Sequence, residues 1–89
     1  MTPTTLPDIT PGSAATPLSN DTNLQATVIW LTPSQAGGRL GDSNVGASRG
    51  VTLAAGVPFA MPRNDFEQGL WRLCKVYVYS GGTWSVTYA

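Results

Sequence analysis

Histidine is absent from this chain, and cysteine occurs once, at Cys74. The first absence removes Cys/His zinc sites and every histidine-based catalytic dyad or triad. The second removes any intrachain disulfide. Charge is scarce as well. Only 11% of the residues are Asp, Glu, Lys or Arg, well under the roughly 25% of an average soluble domain. Arg39, Arg49, Arg63, Arg72 and Lys75 balance Asp8, Asp21, Asp42, Asp65 and Glu67 to a formal net charge of zero. Five dispersed cations do not make the basic patch that phosphate neutralisation requires, so no nucleic-acid partner is expected. No run approaches the ~18–20 apolar residues of a membrane span, and residues 1–11 lack the basic start and apolar core of a signal peptide. The expectation is a soluble protein made in a cytoplasm, with no membrane partner. Asn20-Asp21-Thr22 fits a glycosylation sequon, a match short enough to arise by chance.

Catalytic and cofactor chemistry is equally thin. Asp65 and Glu67 stand two apart on a predicted turn, where capping is a commoner role than acid–base work. No calcium-loop spacing occurs, and neither G-x-x-x-x-G-K-[ST] nor G-x-G-x-x-G is present among the glycines. No cofactor, no metal and no enzymatic activity are expected.

What is present is hydrophobic: 42% of 89 residues, enough for one small domain. Below ~70–80 residues a core rarely supplies more than ~3–5 kcal/mol, and this chain lies only slightly above that size. Self-association or docking on a larger partner is the remaining source of stability. A neutral, charge-poor surface also opposes association weakly.

Residues 1–22 read as an extended arm. Pro3, Pro7, Pro11 and Pro17 forbid a helix or a central strand, and Leu6, Ile9 and Leu18 are the only larger apolar groups. Such an arm is either a disordered tail or a segment that orders on a neighbour, with those three residues as anchors. Residues 23–89 read as a small β-domain. Residues 25–32 (QATVIWLT), bounded by Pro33, form a strand apolar on both faces, Val28 and Trp30 opposite Ile29 and Leu31. Residues 34–50, with five glycines, read as a long mobile loop in which Arg39 and Arg49 contact a partner. A short strand follows at 50–55, with Val51 and Leu53 facing one way. Residues 57–61 (VPFAM) then continue extended, confined to a sheet edge by Pro58 and Pro62. Residues 64–70 could form one helical turn, capped by Asn64 and ended by Gly69.

The last nineteen residues predict a β-hairpin. Two β-rich runs, 71–80 and 83–89, flank Gly81-Gly82, and both glycines can take the positive φ of a two-residue turn. That turn sets Ser80 opposite Thr83, Tyr79 opposite Trp84, Tyr77 opposite Val86 and Lys75 opposite Tyr88. One face then carries Leu73, Tyr77, Tyr79, Trp84, Val86 and Tyr88, either as core or as an exposed platform. Cys74, mid-strand on the other face, reads as an inert core thiol. The fold class is all-β, a small antiparallel sandwich or barrel with a C-terminal hairpin and an extended N-terminal arm.

A Thr/Pro-rich arm, a small β-domain, a Gly-rich loop and the run RGVTLAAGVPFAMPRNDF (residues 49–66) together resemble the small accessory proteins of tailed-bacteriophage virions, especially head-decoration or cement proteins. The resemblance is one of architecture across the whole chain. It implies a non-enzymatic virion protein that binds the outside of an assembled capsid, bridges major capsid subunits or other virion subunits, and forms a homo-oligomer, a trimer for preference. The arm would add contacts or a strand to the lattice, with Leu6, Ile9 and Leu18 as its anchors and Arg39 and Arg49 as loop contacts. A head–tail connector or tail component is an alternative. So is a small carbohydrate-binding module stacking sugars on Tyr77, Tyr79, Trp84 and Tyr88.

Overall fold

A computed structural model of the chain describes residues 3–61 and 70–89. The strands are β1 (Thr4–Thr5), β2 (Thr16–Pro17), β3 (Gln25–Ala26), β4 (Ile29–Pro33), β5 (Gly38–Gly41), β6 (Val51–Leu53), β7 (Phe59–Ala60), β8 (Trp71–Arg72), β9 (Tyr77–Tyr79) and β10 (Trp84–Tyr88), with one 3-10 turn at Leu73–Lys75. The described residues contain no α-helix. Among them all pairing is antiparallel, in two four-stranded sheets ordered β1-β10-β4-β7 and β2-β9-β5-β6, plus a β3-β8 ribbon. The all-β sandwich expected from the sequence is the fold.

The two sheets are one sheet folded over. Residues 76–88 run antiparallel to residues 4–18 along their whole length, through Thr4↔Tyr88, Ile9↔Trp84 and Thr16↔Val78. On the other side they run antiparallel to residues 29–41, from Tyr88↔Ile29 to Gly41↔Tyr77. Residues 51–61 complete the series against 29–41, from Leu40↔Val51 to Trp30↔Ala60. Four long bent segments therefore cross from one sheet to the other. Each bends where a glycine holds positive φ: Gly12, Gly37, Gly56, and the pair Gly81 and Gly82. Backbone bonds stitch this crease together, from Ser80 N to Gly12 O (2.9 Å), Gln35 N to Gly81 O (2.9 Å) and Gly56 N to Pro33 O (2.8 Å).

Inside the fold lie Ile29, Leu31, Leu40, Leu53, Val78, Trp84 and Val86, joined by Leu18, Ala26, Met61, Leu73 and Val76. Alternation along β4 (Ile29, Leu31 and Pro33 buried, Trp30 and Thr32 half-buried) and along β10 (Trp84 and Val86 buried, Ser85 exposed) produces this core.

Several sequence expectations are corrected. The C-terminal hairpin does not form, because β9 and β10 belong to different sheets. Gly81-Gly82 does take positive φ, but Ser80 takes it too, at 55°. Three successive left-handed residues carry the chain across the crease instead of back along itself. The expected register and its single aromatic face go with the hairpin. Trp84, Val86 and Tyr88 point into or pack against the core, while Tyr77 and Tyr79 flank buried Val78 from outside.

The run 71–80 is not one strand either. The 3-10 turn interrupts it, and Cys74 sits in that turn, half-buried instead of within the core. Residues 25–32 divide into β3 and β4, which pair with different neighbours. The Gly-rich stretch is not loop throughout: Gly38–Gly41 is an internal strand of its sheet. The arm is not external, since its two strands form one edge of each sheet. Leu53 is buried, but Val51 on the same side of β6 is exposed at the rim. β7 does lie at a sheet edge, as its prolines imply. The helical turn expected at 64–70 and the Asp65/Glu67 pair fall, apart from Leu70, outside the described residues.

Candidate docking surface

Three of the five residues singled out from the sequence as partner contacts lie together, while Arg39 lies on β5 and Arg49 in the loop that follows it. Leu6, Ile9 and Leu18 line a shallow depression of about 460 Å³ together with Pro7, Thr16 and Pro17. Backbone bonds hold its walls, from Leu6 N to Val86 O (2.9 Å), Ile9 N to Trp84 O (3.1 Å) and Leu18 N to Val76 O (2.9 Å). Leu18, however, is only 4% exposed and belongs to the core. It forms the floor of the depression and is corrected from anchor to core residue. Leu6 and Ile9 pack partly against the same core and keep part of their surface outside.

Pro17 carries the surface onward, since it lies directly opposite Tyr77 on β9. Residues paired across a ladder share a face. The outer face of this sheet therefore runs from Pro17 through Tyr77 and Tyr79 to Arg39, the partner of Tyr79, and on to Thr52, the partner of Arg39. Tyr77, Tyr79 and Arg39 are all half-buried. Arg39 Nη1 donates to Gly50 O at 3.4 Å, placing it at the base of the loop that carries Arg49.

That loop is shaped by its own sequence. Asp42 Oδ1 accepts from Asn44 N at 2.9 Å, and Val45 N donates to Asp42 O at 3.0 Å, an Asx-type turn. Gly46 and Arg49 then bond each other twice through the backbone. Val45 is buried against Gly41 and Gly50, where an added Cβ would meet its side chain at 3.2 and 2.6 Å. The loop is pinned, and Arg49 stands exposed at its tip.

Sequence reasoning left Tyr77 and Tyr79 open between core and exposed platform, and the expected hairpin grouped them on one face with Trp84. The Tyr77-Val78-Tyr79 alternation was the available signal, since one face of that strand must be apolar. Trp84 itself is fully buried, and its Nε1 donates to Ser80 O at 2.6 Å. A sugar platform built on Tyr77, Tyr79, Trp84 and Tyr88 together does not exist.

Among the described residues no three His, Cys, Asp or Glu side chains gather as metal ligands, and no helix is long and apolar enough to cross a membrane. The surface is an aromatic and arginine strip on the outer face of a small β-fold. No protein-family model, curated protein or solved structure matches the chain.

Proposed function

We propose that this chain is a non-enzymatic docking module of an assembled particle, of the kind that decorates a tailed-bacteriophage capsid, and that the strip from Leu6 and Ile9 across Tyr77, Tyr79 and Arg39 to Arg49 is its contact with capsid subunits. One observation carries the reading. Tyrosine and arginine, the residues enriched at protein interfaces and at their energetic centres, are collected on one sheet face of a chain with only ten charged residues. Both side-chain types combine apolar contact area with directional hydrogen bonds, which suits a flat protein surface. Among the described residues the neighbouring strands β1 and β2 each have a ladder partner on one side only, leaving backbone available for an added strand.

The test is mass spectrometry of purified particles from the source that encodes the chain, followed by rebinding of the purified protein to particles stripped of it. The chain is present in mature particles, and Tyr79→Ala combined with Arg39→Ala weakens rebinding at least tenfold with the circular-dichroism spectrum unchanged. Absence from mature particles overturns the reading.

A further inference from the structure

The outer face of the other sheet differs in kind from the tyrosine and arginine strip. One row of ladder partners crosses all four of its strands, Thr5 on β1, Thr87 on β10, Trp30 on β4 and Ala60 on β7. Ser85 and Thr32 form the next row, roughly 7 Å along the strands. Alternation turns both rows away from buried Ile29, Leu31, Trp84 and Val86. Thr5, Ser85 and Ala60 are exposed around Trp30, which is half-buried and does not pack on the core. Trp30 Nε1 and the Thr32 hydroxyl make no hydrogen bond with a described residue, yet no buried side-chain polar atom of the described residues lacks a partner, so both groups reach solvent. The Thr5 and Thr87 hydroxyls lie 3.5 Å apart.

We infer that this face binds a neutral polysaccharide, with one sugar ring stacked on Trp30. The chemistry of the six side chains chooses the occupant. None is charged, so the two rows offer no cation to a phosphate, sulfate or uronic acid. Protein interfaces gather Tyr, Met and Arg beside a tryptophan and are depleted in Ser and Ala, the reverse of the frame around Trp30. A sugar ring presents a C–H face that an indole can cover, with hydroxyls around its rim. Thr and Ser hydroxyls donate and accept, so they match those hydroxyls in either sense. An open sheet does not enclose a single sugar as a pocket would, whereas a polymer repeats its contacts along the rows. The inference concerns a different sheet from the capsid contact and does not rest on that reading.

Depletion binding of the purified full chain to insoluble cellulose, chitin and starch tests it, at high salt to screen charge and with acidic alginate gel for comparison. The wild type is retained on at least one of the three neutral polymers and is released by soluble oligosaccharides of the same polymer. Trp30→Ala lowers retention at least tenfold, and Thr32→Ala and Thr87→Ala each lower it two- to fivefold. Ala60→Glu, at an exposed edge position opposite Trp30, lowers it at least fivefold with the indole still in place. Val57→Ser, at an exposed position outside both rows, leaves it unchanged, and circular dichroism shows each variant folded. No retention on any neutral polymer, retention on alginate alone, or retention that survives both Trp30→Ala and Ala60→Glu overturns the inference.

Discussion

Gly38 has no room for a methyl group. A Cβ there would stand 2.8 Å from Trp84 Cζ2, 3.1 Å from Gly81 Cα and 3.2 Å from Pro33 Cβ, none of them the free end of a flexible side chain. Pro33 and Trp84 are fully buried, so the neighbours have nowhere to retreat. Gly38→Ala is expected to cost about 1–3 kcal/mol, the usual penalty of overpacking, read as a lower urea midpoint at unchanged slope. Gly46 is the contrasting position, since nothing lies within 4 Å of its added Cβ. Gly46→Ala should stay within about 0.5 kcal/mol of wild type. Two glycines from one Gly-rich stretch thus carry opposite meanings, and composition alone does not separate them. What separates them is Trp84, forty-six residues away.

The N-terminal segment shows the same dependence for a whole element. Its prolines do give extended backbone, as the sequence implies. They do not show whether the segment extends into solvent, over a partner or along its own domain. Here it lies against residues 76–88 and contributes Leu18 to the core. Leu18→Ala should therefore destabilise the protein by about 2–5 kcal/mol, and Leu6→Ala, half-buried, by clearly less. Deletion of residues 1–18 should abolish the cooperative thermal transition, because it strips an edge strand from both sheets. In hydrogen exchange the amides of Leu6, Ile9 and Leu18 should be protected, and an arm exchanging at the unprotected rate would refute this placement. β4, β6, β10 and the edge position of β7 were legible because their alternation or proline spacing is local. The hairpin and the internal strand β5 were not. Glycine with positive φ serves a tight turn and a crease equally well, and the choice is made by what packs on the far side.

At the scale of the whole molecule nearly every ladder joins residues distant in sequence: 4–18 with 76–88, and those in turn with 29–41. A local hairpin would have supplied a cheap nucleus, and the fold lacks the one expected at its C-terminal end. Non-local pairing must close long loops before any contact rewards them, so refolding should take milliseconds to seconds rather than microseconds. Stopped-flow tryptophan fluorescence measures it, and a microsecond phase carrying the full amplitude would contradict this topology. The proposed docking strip depends on the same long-range order. Tyr79 and Arg39 are forty residues apart and meet only after residues 29–41 and 76–88 have paired.

The bent ladder between 4–18 and 76–88 also gives the molecule a weak direction. Thr4 and Tyr88 are paired neighbours at the same end of it. Tension between those two points loads the backbone bonds singly, like a zipper opened from its end, and the crease at Gly12 and Gly81 offers no rigid rod to share the load. Tension applied along the strands from opposite ends of the ladder would instead load many bonds together. Under the proposed attachment to a particle, swelling would tear the module at low force in the first geometry and be restrained by it in the second, so the orientation of attachment would decide whether it bears strain.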